Sequence, residues 1–136
     1  MRVAALDVGD VRVGVAVSDE LGGLVTGIGV VTRRGGIRDL EAIAEILGPY
    51  APGRIVVGLP LNMDGTEGPR AIKTRAFGAR IAAHLGLPLD YHDERLTSFE
   101  AEQRLRAAGV PGRRRRALVD QVAAEVILED YLARRP

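Results

Sequence analysis

The sequence predicts an α/β fold: a mixed five-stranded sheet flanked by helices. Two observations lead there. Three strand-like runs come first, as a meander, and strand-like and helix-like segments alternate from there on. Residues 2–7 and 11–18 are Val/Ala-rich runs separated by a short glycine-containing segment, the pattern of a β-hairpin. Gly22 and Gly23 mark the next turn, and a third strand is expected over 25–31. Leu40, Ile43, Ala44 and Leu47 recur at helical spacing, so a helix is expected over 37–47, stopped by Gly48 and Pro49. Residues 54–59 form a short apolar run bounded by Pro52-Gly53 and Pro60, which reads as a buried strand. Pro69 suits a first helical turn, and Ala76, Phe77, Ile81 and Leu85 share one side of the helix that ends at Gly86. A strand is expected over 87–92. Thr97-Ser98-Phe99-Glu100 fits a capping box opening a helix to about Ala108, and a last helix is expected over 115–133.

At 136 residues and 14.5 kDa the chain suits one well-buried core, so 1–136 is read as a single domain. A composition of 46% hydrophobic and 27% charged residues is that of an ordinary globular protein. The apolar stretch before Asp7 is too short for a signal peptide or a membrane span, and a cytoplasmic location is expected. Without cysteine there are no disulfides, thiolate zinc sites or cysteine nucleophiles, and two histidines exclude multi-histidine metal centres. Carboxylates remain as ligands, and they suit hard cations such as Mg2+ or Mn2+. A net charge of +1 gives no global attraction to nucleic acid, so any electrostatic argument rests on how the charge is distributed.

Three acids stand out. Asp7 ends an apolar strand just before Gly9, at the sheet edge where α/β proteins gather their sites; supporting the following turn is its structural alternative. Glu94 leaves another strand end, where pairing with Arg95 is the alternative. Asp120 borders the apolar stripe of the last helix, formed by Val119, Val122, Ala123, Val126 and Ile127, and a carboxylate facing a sheet must be paired, hydrogen-bonded or metal-bound. A favourable interaction with the helix amino end competes with that reading. Convergence of Asp7, Glu94 and Asp120 would make them both metal ligands and catalytic acids for phosphodiester hydrolysis. Two further segments suit a polyanionic partner. Arg113, Arg114, Arg115 and Arg116 form a basic run expected between the last two helices. The loop Asn62-Met63-Asp64-Gly65-Thr66-Glu67-Gly68 precedes a helix and offers backbone amides to a phosphate. His92 could orient a water or phosphate, or point to the opposite face. No serine has a plausible triad, and no phosphate loop ends in Gly-Lys-Ser/Thr.

Leu6-Asp7-Val8-Gly9 with Arg12-Val13-Gly14-Val15-Ala16, and Val57-Gly58-Leu59-Pro60-Leu61-Asn62-Met63-Asp64-Gly65-Thr66-Glu67, resemble the YqgF family, also called RuvX. His92-Asp93-Glu94-Arg95-Leu96-Thr97 and Val119-Asp120-Gln121-Val122-Ala123-Ala124 resemble its remaining motifs in order, so the resemblance spans essentially the whole chain. It implies a ribonuclease H-like fold related to Holliday junction resolvases and a nuclease acting on the 5′ end of pre-16S ribosomal RNA, with its catalytic acids at Asp7, Glu94 and Asp120. The family often has a lysine where this chain has Val11 and a basic residue near Leu118; Arg12 and the arginine run are the substitutes at hand. Precursor rRNA or branched DNA is the expected partner, bound by Arg12, Asn62, Asp64, Gly65, Thr66, Arg95 and the arginine run, with the chain a monomer or homodimer. A non-catalytic nucleic-acid-binding module is the alternative outside enzymes. An ATP-handling protein of the actin or sugar-kinase type, suggested by Asp7-Val8-Gly9 and Gly14, would need two such domains.

Overall fold

The structure is a computed structural model that describes residues 1–134. Strands β1 (Val3–Val8), β2 (Arg12–Ser18) and β3 (Val25–Thr32) form an antiparallel meander. Helix α1 (Ile37–Leu47) leads into β4 (Arg54–Leu59), α2 (Pro69–Leu85) into β5 (Leu89–Asp93), and α3 (Thr97–Ala107) and α4 (Gly112–Arg134) close the chain. The strand order is β3-β2-β1-β4-β5, with β4 parallel to both β1 and β5. The carboxyl ends of β1, β4 and β5 therefore share one edge, and the loops leaving them meet there. No helix among the described residues is long and apolar enough to cross a membrane.

Strand alternation sends successive side chains to opposite faces of the sheet, and the two faces are built differently. On one, Leu6, Val13, Val15, Val17, Ile55 and Val57 pack against Leu40, Ile43 and Leu47 of α1 and Phe77 and Ile81 of α2. On the other, Val3, Ala5, Ala16 and Val56 pack against Ala124, Ile127, Leu128 and Tyr131 of α4. Three glycines bring α4 close. A Cβ on Gly14 would stand 1.9 Å from the Asp120 carbonyl oxygen, one on Gly27 would be 2.4 Å from the Glu125 Oε1, and one on Gly58 would be 2.4 Å from the Ile127 Cδ1.

The expected elements are all present, and four local expectations are corrected. Thr97 does not cap α3: it already lies within the first turn, its amide bonding to the Glu94 carbonyl (3.1 Å) while that of Glu100 bonds to Leu96 (3.1 Å), one position too late for a capping box. The last helix starts at Gly112, three residues earlier than expected, because the Arg115 amide closes a helical bond on the Pro111 carbonyl at 2.9 Å. Arg113, Arg114, Arg115 and Arg116 are consequently the opening turns of a helix rather than an interhelical loop, as suits a good helix former. The fifth strand begins at Leu89, since Pro88 serves through its carbonyl, which accepts from the Ile55 amide at 2.9 Å.

Candidate functional site

The three acids predicted from sequence line one cleft of about 500 Å³ at the carboxyl edge of the sheet. Asp7 shares its face of β1 with Val3 and Ala5, so it points toward α4 and is buried, at 8% exposure. The turn after it is fixed by the Gly9 amide donating to the Arg12 carbonyl at 2.8 Å. Glu94 follows β5, with its amide held by the Leu59 carbonyl of the neighbouring strand at 3.1 Å. Asp120 reaches the cleft because α4 crosses β2 at Gly14, where backbone meets backbone. Each acid is thus placed by main-chain contacts, from segments far apart in sequence.

Gathering them is electrostatically costly. Burial, then repulsion from Asp120, raises the Asp7 carboxyl to about 7, against a smaller opposing pull from Arg70. Burial and repulsion from Asp7 raise Glu94 to about 8, again opposed by Arg70. Asp120 has a cationic partner: its Oδ2 accepts from Arg12 Nε at 2.7 Å. Among the described residues no group of three or more His, Asp or Glu side chains is drawn together tightly enough to cage a metal ion. The donor set nevertheless suits one in kind. Three carboxylates, two of them with protonation favoured by burial and mutual repulsion, concentrate oxygen ligands and negative charge where a hard divalent cation would relieve both.

The other expected residues divide. Asn62 and Arg95 line the cleft with the acids. Arg12 is joined to Asp120. Asp64, Gly65 and Thr66 do not line the cleft; they build the loop beside it. Thr66 donates its hydroxyl (2.6 Å) and its amide (3.0 Å) to Asp64 Oδ1, which holds that carboxyl below its usual range. Gly65, at φ 87°, donates its amide to the Asn62 carbonyl at 2.8 Å, and the Asn62 amide in turn bonds to the Thr66 carbonyl at 2.8 Å. Of the loop amides expected to meet phosphate, those of Asn62, Gly65 and Thr66 are engaged within the loop itself. Arg95 ties this loop down, donating to the Met63 carbonyl (3.0 Å) while pairing with Asp93. Of the arginine run, Arg115 is half-buried against Glu102 and the Val110 carbonyl, whereas Arg113, Arg114 and Arg116 are exposed; none of the four lines the cleft. His92 does face α4, as Asp7 does, but it is bonded to Asp130, stacks edge-on with Tyr131 and is absent from the cleft lining.

Among the contributors to the cleft wall that sequence reasoning missed are Arg70, Leu96, Ser98 and Phe99. Arg70 had a readable signal as the first cation after Pro69 at a helix amino end. Leu96 and Phe99 are 60% and 65% exposed, an unusual state for large apolar side chains at the mouth of a polar cleft.

Comparison with known proteins accords with this geometry. Residues 1–134 match the family described as "RuvX: Holliday junction resolvase". A relative from Anaeromyxobacter dehalogenans (strain 2CP-C), named "Putative pre-16S rRNA nuclease", is 53% identical over 99% of this chain and 98% of its own length. One of the same name from Symbiobacterium thermophilum is 49% identical over 99% of this chain and 94% of its own. Among solved structures, T. thermophilus RuvC in complex with a Holliday junction substrate aligns with a TM-score of 0.56 at 19% identity, covering 98% of this chain and 95% of that one. The Fowlpox virus resolvase bound to Holliday junction DNA aligns with a TM-score of 0.59 at 10% identity, covering 98% and 97%. These structural likenesses establish the shared fold, the ribonuclease H-like architecture of RuvC-type resolvases. Matched over its described length, and identical to such relatives at about half its positions, the chain belongs to the RuvX family.

Proposed function

We propose that this chain is a divalent-metal-dependent nuclease that hydrolyses phosphodiester bonds in structured RNA, with the 5′ region of pre-16S ribosomal RNA as its target. The observation that carries the reading is the convergence of Asp7, Glu94 and Asp120 on one cleft, in a chain about half identical to relatives named as nucleases of that RNA. In this reading residues 1–136 form one catalytic unit, working in the cytoplasm as a monomer or homodimer.

Asp7, Glu94 and Asp120 would hold Mg2+ or Mn2+, which when bound lowers the pKa of water and stabilises the oxygens of a phosphodiester undergoing displacement. The chain's own residues supply the rest. With values of about 7 and 8, Asp7 and Glu94 retain protons near neutrality in the cation-free protein, so loading the site releases protons and tightens as pH rises. Arg70, on the cleft wall and close enough to bias both acids, provides positive charge toward which a phosphate is drawn. Asn62 and Arg95 add polar contacts from the β4 and β5 sides, and the apolar pair Leu96 and Phe99 gives a base or sugar a surface to rest on. Arg12 and Asp120 neutralise one another in the free protein, and cation loading would release Arg12 toward the substrate backbone.

The test is cleavage of precursor RNA by folded Asp7→Asn and Asp120→Asn proteins that still bind nucleic acid. Activity should fall by at least two orders of magnitude in each, and undiminished cutting by either removes the site as drawn. A second reading, resolution of branched DNA, draws on the family description and on the shared fold of two proteins solved with junction DNA. The same acids would serve it. Symmetric cutting of a four-way junction without action on precursor RNA would favour it.

A further inference from the structure

A second concavity, of about 240 Å³, lies beside the acidic cleft and shares Gly9 and Arg70 with it. Its chemistry is reversed. Arg33, Arg70, Lys73 and Arg80 line it, with Asp10 as the sole carboxylate. Three of these cations come from one face of α2, because positions 70, 73, 77 and 80 fall in a single helical stripe with Phe77 among them. Lys73 is the only lysine in the chain.

The cations differ in how they are satisfied. Arg33 has partners: it pairs with Asp39 at 3.2 Å, donates to the Gly9 carbonyl at 2.9 Å and lies over the Phe77 ring at 4.8 Å. It forms a fixed positive wall. Among the described residues, Arg70, Lys73 and Arg80 have no hydrogen-bonded or ion-pair partner. The same helix does pair its other arginine: Arg75 makes a two-pronged contact with Glu67, both bonds at 2.7 Å. Arg70 and Lys73 stand one turn apart as like charges, an arrangement that costs helix stability unless an anion lies between them. A phosphate group has the charge and the acceptor oxygens to satisfy such a set.

We propose that this pocket is a second phosphate seat, holding a phosphate of the same nucleic-acid strand whose scissile phosphodiester lies in the acidic cleft, with Arg70 bridging the two. The proposal rests on the nuclease reading for the identity of the strand, but not for the existence of the seat. The phosphate belongs either to an internal phosphodiester or to a strand terminus, and both present the same oxygens.

The test is binding of a short fluorescein-labelled RNA to full-length protein carrying Asp7→Asn, in chelator, over a range of salt. Lys73 and Arg80 are exposed and lie outside the acidic cleft, so Lys73→Gln/Arg80→Gln should fold; thermal melting verifies this. A matched control, Arg2→Gln/Arg134→Gln, removes two charges at the far end of β1 and the far end of α4. The pocket variant should bind severalfold more weakly and lose about one unit of salt slope, with the control unchanged. An unchanged slope, or an equal loss in the control, overturns the proposal. Strands with a 5′-phosphate or a 5′-hydroxyl identify the source: an effect confined to the phosphorylated strand assigns a terminal phosphate, and an effect on both assigns an internal one. Because cleavage plays no part in this measurement, a protein that passes it yet cuts nothing when Asp7 is restored would refute the nuclease reading alone.

Discussion

The two faces of the sheet solve the same packing problem in opposite ways. Against α1 and α2, spacing is set by interlocked aliphatic side chains such as Val13, Val15, Ile43 and Ile81, all fully buried. Against α4 it is set by near-contact of backbones at Gly14 and by the side chains of Glu125 and Ile127 lying close over Gly27 and Gly58, with alanines on both sides. Side chains can shift rotamers and absorb a change, whereas helix backbone lying directly on Gly14 has nothing to compress. The second face carries two carboxylates whose placement matters to the cleft, Asp7 on β1 and Asp120 on α4. The chain thus uses adjustable packing where it needs stability and rigid packing where it needs position.

Gly14→Ala should break this difference most severely. A methyl 1.9 Å from the Asp120 carbonyl forces α4 outward, which should cost about 3 kcal/mol or more by overpacking. Cleavage should also fall about a hundredfold in the protein that remains folded, as displacement of a catalytic group by an ångström does. Ile81→Ala is the counterpart on the other face. It should cost about 2–5 kcal/mol in a denaturant melt, yet leave the activity of each folded molecule near that of the parent. Comparable loss of specific activity in both variants would show that the two faces are not distinct in this way.

A pH series sharpens the comparison on the acidic side. Asp7 is pushed up to about 7 and Glu94 to about 8, so the folded chain retains protons that the unfolded chain has released. Their contribution to stability is fully present below the unfolded values and is lost as pH rises through the folded ones. The melting temperature of cation-free protein should therefore decline between about pH 4 and pH 8, and Asp7→Asn/Glu94→Gln should flatten that decline. Added Mg2+ or Mn2+ should raise the melting temperature of the parent more at the alkaline end, and should do little for the double variant. The smallest effect belongs to Arg12→Gln. This partly exposed ion pair with Asp120 should contribute about 0–1 kcal/mol, measured by the same melt.

Much of the fold was legible because each strand and helix declares its own period: residues 37–47 and 54–59 match the observed elements to the residue, and the helix expected from Pro69 to Gly86 ends one residue sooner, at Leu85. The acids were legible as strand ends and as a polar residue beside an apolar stripe. What escaped depends on contacts across the chain. That Asp64 and Thr66 satisfy each other, that Arg12 meets Asp120, and that Arg115 turns inward to Glu102 follow from tertiary placement that local spacing does not encode. Helix boundaries escaped for a local reason, since the Pro111 carbonyl can start a helix although its nitrogen cannot donate. One signal was present and unread. Val13-Gly14-Val15-Ala16-Val17 alternates large with small, which marks the small side as the one a helix approaches closely.

Because α4 follows every strand of the sheet, synthesis makes the parts of the cleft available in a fixed order. Asp7 is made before Glu94 and Glu94 before Asp120, which belongs to the helix that covers β1, β2 and β3 together. A growing chain can form its meander and its first parallel strands with two of the three acids in place and still lack the cleft. Synthesis of α4 is then the event that completes the set of three acids, and a chain interrupted before α4 lacks Asp120.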